Sequence, residues 1–260
     1  MTVKTCINAR AFFYFLTLFF CCPLIAQTVS AEEAIASLDQ QLKSQPHNAE
    51  LLMKRAHLLF QSNQHQASVA DYTQVIELQP ANFQAYFGRG MALGRLGKVQ
   101  QGIDDMSVFI KHKPDDSVAY TKRGVRYLWL GDNQRAEKDF RFAISLNPKN
   151  AEAHDDLGVI LAQQGKQKQA ISHFLKTIEY EPSYQKAYHN LALTYYIYDN
   201  NQAALEFVNK ALALSADSKD TVILKSEILK SLGQLQQAEA LREHADFLPD
   251  GNWSESMAIQ

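Results

Sequence analysis

The side chains best placed to do chemistry come in charged pairs. Arg55 and Asp71, Arg89 and Asp105, and Arg123 and Asp139 each stand sixteen residues apart. A cation and an anion repeated at one fixed separation read as structural ion pairs between neighbouring helices, and a partly buried pair of that kind fixes register more often than it catalyses a reaction. The same separation later holds Leu157 with His173 and Leu191 with Phe207, so charge leaves both positions together. A second group, Glu152, Asp155 and Asp156 with Lys186 and His189, reads either as an acidic patch for a basic segment of a partner or as a solvated helix face.

Other constellations are missing. The eight histidines form no i, i+4 pair and no HExxH motif, so no metal site is expected. There is no phosphate-binding loop, no G-x-S-x-G elbow and no dinucleotide fingerprint, and Gly88 and Gly90 fall inside a helical pattern. The expectation is a non-enzyme with no catalytic residue, no cofactor and no small-molecule substrate.

The elements that must hold the charged pairs follow from spacing. Pro46, Pro80, Pro114, Pro148 and Pro182 recur every 34 residues without an insertion. Six copies run in register, 49–82, 83–116, 117–150, 151–184, 185–218 and 219–248, and each reads as two helices. In the third, the helices span about Ser117 to Leu130 and Gln134 to Ser145, joined at Gly131-Asp132. The turn glycines Gly97, Gly131, Gly165 and Gly233 suit the left-handed conformation that ends a helix, and asparagines near Asn63 and Asn200 tolerate it. The eighth position of each copy is small (Ala56, Gly90, Gly124, Gly158, Ala192, Ser226), as close helix approach requires. Residues 27–48 contain one more amphipathic helix, Ala31 to Lys43, read as a half repeat that caps the array.

Leu157, Gly158, Ala170, Phe174 and Pro182 in the fourth copy, with Tyr188, Leu191, Ala192, Tyr195 and Ala204 in the fifth, resemble the signature of the tetratricopeptide repeat family, and the resemblance extends over residues 31–248. It implies an all-α, right-handed α-solenoid of tandem helix-turn-helix repeats. It also implies a protein or peptide partner held on the concave surface, at positions 2, 5, 9, 12 and 13 of each first helix. Those positions collect Met53 and Phe60, Phe87 and Met91, Val125, Leu128 and Trp129, Val159, and Leu193, Tyr196 and Ile197. Aromatic and methionine side chains suit a groove for an amphipathic helix or an extended apolar peptide. The alternative that some of them, position 12 above all, belong to the core stays open. The expected role is an adaptor or scaffold in a periplasmic or envelope assembly. The alternative is a self-associating or membrane-tethered scaffold, a homo-oligomer whose groove is filled by its own tail or another copy.

The N-terminus reads as an address. Lys4 and Arg10 precede the apolar run Ala11 to Ile25, and Ala26 suits cleavage, so residues 1–26 are expected to be a signal peptide that sends the protein to the periplasm. The alternative is a membrane anchor through residues 11–25, which is short for a span. Cys6, Cys21 and Cys22 all lie in this segment, and Phe20 before Cys21 does not suit lipidation. Its removal leaves 24 of the 26 basic residues against 28 acidic ones. That balance, with no basic cluster, argues against nucleic acid as a partner. Residues 249–260 read as a polar C-terminal tail.

Overall fold

A computed structural model describes residues 30–249. The expected signal peptide and the tail beyond residue 249 lie outside the described residues. Thirteen helices occupy the rest: α1 (Ala31–Ser44), α2 (Ala49–Gln61), α3 (His65–Leu78), α4 (Phe83–Arg95), α5 (Val99–His112), α6 (Ser117–Trp129), α7 (Asn133–Leu146), α8 (Ala151–Gln163), α9 (Gln167–Tyr180), α10 (Gln185–Ile197), α11 (Asn201–Leu214), α12 (Lys219–Ser231) and α13 (Leu235–Asp246). From α2 onward every even-numbered helix begins 34 residues after the last.

Local chemistry sets the boundaries. Ser30 and Glu33 form a reciprocal capping box at α1. Asn48, Asp116, Asp132, Asn150 and Asn200 accept hydrogen bonds from first-turn amides of the helices they precede. The first helix of each pair is closed by a residue at positive φ, between 72° and 77° at four glycines, 58° at Asn63 and 59° at Asp199.

Each helix packs on its neighbours in sequence, and the even-numbered helices also touch one another in succession: α2 with α4, α4 with α6, α6 with α8, α8 with α10, and α10 with α12. Among the described residues no two odd-numbered helices make a comparable contact. The array is therefore narrower along its even-numbered helices, which line the concave side. Close approach within a pair depends on the small eighth position. A Cβ on Gly124 would sit 2.6 Å from the Phe140 ring, and one on Gly158 would sit 2.6 Å from Phe174. Both phenylalanines are fully buried in the central core. No described helix is long and apolar enough to cross a membrane.

Candidate protein-binding surface

The three arginines of the charged pairs each grip a buried carboxylate with two nitrogens. Arg55 reaches Asp71 at 2.7 and 2.7 Å, Arg89 reaches Asp105 at 2.7 and 2.9 Å, and Arg123 reaches Asp139 at 2.8 and 2.9 Å. The remaining nitrogen, Nη1, crosses to the previous pair of helices: to Asp39 at 2.6 Å, Thr73 at 3.3 Å and Ser107 at 3.1 Å. Asp39, Thr73 and Ser107 are themselves 34 residues apart, so a signal for this second contact was present in the repeat frame. The arrangement joins one repeat to the next and offers no site for a reacting group.

In the fourth copy the carboxylate position is His173, and it turns to His154 instead, with the two Nδ1 atoms 2.8 Å apart. His154 Nε2 lies 3.1 Å from the Pro148 carbonyl. A carbonyl only accepts, so His154 donates from Nε2, accepts at Nδ1, and His173 donates from Nδ1. Burial pushes the His173 imidazole down to about 4, helped by His154 and the nearby Lys176 and Arg141. Burial also lowers the pKa of His154.

The expected acidic patch requires correction. Asp155 and Asp156 are 0% and 2% exposed and His189 is 7% exposed, because α8 is covered by α6 on one side and α10 on the other. Asp155 accepts from the Asn190 amide at 3.2 and 3.3 Å, while Glu152 is half-buried against Lys122 at 2.7 Å. Burial pushes the Asp155 carboxyl up to about 7 and that of Asp156 well above the carboxylate range. Lys186 is half-buried beside them. These groups form an interior polar seam, and no open acidic surface exists here for a basic segment.

The apolar groove is corrected in part. Val125, Leu128 and Val159, at 2 to 3% exposure, belong to the central core, since the contacts between successive even-numbered helices bury them. Trp129 is half-buried against that core. Leu193 and Tyr196 pack on the cluster of the fifth and sixth copies, and Ile197 is 54% exposed. Met53, Phe60, Phe87 and Met91 come together with His57 and Tyr72 around an open cavity of about 420 Å³. The concave side thus carries an N-terminal apolar cavity and a separate C-terminal apolar patch, with a filled centre between them.

One residue of this face went unread in the sequence. Arg126 is 1% exposed, lies over the Trp129 ring at 4.6 Å, and places Nη2 3.4 Å from the Met91 sulfur. Its room comes from Gly94, where a Cβ would fall 2.8 Å from Arg126 Nε and 3.3 Å from the Trp129 ring. The signal was the gap itself. Other copies carry Phe60, Leu128, Ala162, Tyr196 and Lys230 at the position of Gly94.

Stacked helix pairs with a curved inner face of this kind define an α-solenoid. Three family profiles match the chain, described as TPR repeat over residues 56–97 and as tetratricopeptide repeat over 121–179 and 185–218, together just over half its length. The protein is an all-α solenoid of tetratricopeptide repeats, a scaffold for protein interaction. Solved structures agree in fold. A tetratricopeptide repeat protein from Parabacteroides merdae superposes with a TM-score of 0.69 at 19% identity, over 85% of this chain and 88% of that one. PilW, a widely conserved type IV pilus biogenesis factor, gives 0.70 at 18% identity over 82% of this chain and 96% of that one. A chain of the APC/C hetero-tetramer Cut9-Hcn1 gives 0.70 at 15% identity over 84% of this chain, which spans only 45% of that longer one. The curated proteins contain no match.

Proposed function

We propose that the protein grips a protein or peptide partner against its concave side, with the cavity of Met53, Phe60, Phe87 and Met91 as the anchor, and that it does so after export, as an adaptor or scaffold in an envelope assembly. The cavity carries this reading. It is open, about 420 Å³, and walled by two methionines and two phenylalanines that give a large, adaptable contact area. Export rests on the basic, apolar and small-residue order of residues 1–26. Sequencing the N-terminus of the mature protein should begin at Gln27, and a chain that starts at Met1 and fractionates with the cytoplasm would remove the export step. Crosslinked co-purification from periplasmic and membrane fractions tests the groove. Met91→Glu combined with Phe60→Ala should abolish partner recovery while helicity stays unchanged, and undiminished recovery would place the interface elsewhere.

A further inference from the structure

The cavity walled by Met53, Phe60, Phe87 and Met91 has a hydroxyl at its floor, and from it we infer that the partner segment anchors there through a tyrosine or tryptophan whose polar tip bonds Tyr72. This rests on the proposed groove and adds the chemistry of its ligand.

Of the described residues that line the cavity, Tyr72 is buried, at 4% exposure, while the others are half-buried or exposed, so its ring forms the floor. Among the described residues its hydroxyl makes no hydrogen bond. Burial, and after it the Asp71 charge, pushes the phenol up to about 12, so at neutral pH the hydroxyl keeps its proton and can both donate and accept. The sequence makes room for this group. Tyr72 takes the position held by Phe140 and Phe174 in the third and fourth copies, rings with no polar atom. Those rings lie over Gly124 and Gly158 of their own copies, whereas the Tyr72 ring lies against Gly88 of the next copy. A Cβ on Gly88 would fall 2.4 Å from Tyr72 Cζ and 2.7 Å from its oxygen. Other copies carry Lys54, Lys122, Asp156, Asn190 and Leu224 at the position of Gly88. A glycine inside α4 lowers helix stability relative to alanine, and here it gives the hydroxyl its place beside the cavity.

Bonding requirements then select the ligand. Leucine, methionine or phenylalanine would cover the walls but seal the Tyr72 hydroxyl from water without a partner, a loss as large as that of a hydrogen bond. A charged tip would leave water for a cavity lined by no lysine, arginine or carboxylate. Serine or asparagine would touch too little of the methionine and phenylalanine walls. Tyrosine and tryptophan combine a large apolar ring with a neutral polar tip, and each calls for a hydrogen-bond partner when buried. The hydroxyl lies beneath half-buried walls, a depth that suits the tip of a side chain rather than a partner's backbone.

Random peptides displayed on phage and selected against the full chain test the inference. The enriched pool should carry tyrosine or tryptophan in preference to phenylalanine, leucine and methionine. A synthetic copy of an enriched peptide should bind about three- to tenfold more weakly once its tyrosine is changed to phenylalanine, or its tryptophan to naphthylalanine. Tyr72→Phe should weaken the unaltered peptide by a similar factor and leave the altered one as it was, so that the two losses do not add. That variant carries the ring that the third and fourth copies already use, and circular dichroism checks that it is folded. A pool led by phenylalanine, leucine or methionine overturns the inference, as do losses that add, or a library that yields no enriched sequence. If the enriched peptides lack a polar-tipped ring yet lose binding to Met91→Glu, the chemistry is wrong and the groove stands. If Met91→Glu leaves them bound, both fall.

Discussion

Arg123 spends all three of its guanidinium nitrogens on neighbours, two on Asp139 and one on Ser107, and Asp139 is only 5% exposed. Removing the arginine alone strands a buried carboxylate. Arg123→Met should therefore cost about 2 to 3 kcal/mol, below the roughly 3 to 5 expected for a fully buried pair because the arginine side chain keeps some exposure. Changing both partners, Arg123→Met with Asp139→Leu, should recover most of that loss, since two apolar groups leave nothing unpaired. Urea unfolding of the two variants checks both statements, and a double variant no better than the single would refute the pairing as the cause. The chain itself makes this exchange in its fifth copy, where Leu191 and Phe207 hold the same positions.

At the scale of a helix, α8 combines two titrating systems of opposite sign. On the side toward α9, His173 titrates near 4 in the folded protein, below its ordinary 6.5, so the unfolded chain binds the extra proton. That contribution to stability is present above 6.5 and is lost as pH falls toward 4. On the side toward α10, Asp155 titrates near 7, above its ordinary 3.8. Its contribution is present in acid and is lost as pH rises through 7. Between pH 4 and 6.5 the two slopes oppose each other, each at most about 1.4 kcal/mol per pH unit. Asp155→Asn should tilt the stability curve toward higher pH, and His173→Phe should tilt it toward lower pH. Urea midpoints measured from pH 4 to 8, taken as differences from the parent chain, read the tilt directly. Two parallel difference curves would show that neither group titrates as its burial implies. Helix approach gives a second expectation. Gly124→Ala gains about 1 kcal/mol of helix propensity but drives a methyl into the Phe140 ring, where overpacking costs about 1 to 3. The net should be a loss of about 1 kcal/mol, and Phe140→Val should ease it, as Ala192 is accommodated opposite Val208. A Gly124→Ala chain more stable than its parent would mean that the ring yields freely.

For the molecule as a whole, the 34-residue frame was legible because the first four copies repeat the proline and all six repeat their small residues and turn residues in register, and local rules of capping and left-handed turns then place the helices. The charged pairs were legible too, because charge appears and disappears at both positions at once. Curvature was not. Whether position 5 or 9 of a first helix faces solvent depends on how tightly successive even-numbered helices approach, a property of the stack that no single copy encodes. This is why Val125, Val159, Asp155 and Asp156 read as surface and are interior. Arg126 was hidden for a related reason, since its cavity is made by a side chain absent from another copy. The same one-dimensional order yields a last expectation. α1 packs against α2 alone among the described helices, burying Leu38 and Leu42 beside the cluster of Ala49, Leu52 and Ala56, and Asp39 supplies the outer contact of Arg55. In such an array stability is close to a sum of repeat and nearest-neighbour terms, so damage to the cap should stay near the cap. Leu42→Ala should cost about 2 kcal/mol at that interface. Hydrogen exchange should show lost protection in α2 and α3 while the amides of α8 and α9 keep theirs. Uniform loss along the chain would instead mean that the six copies open as one unit, and that the cap holds the whole solenoid rather than its first turn.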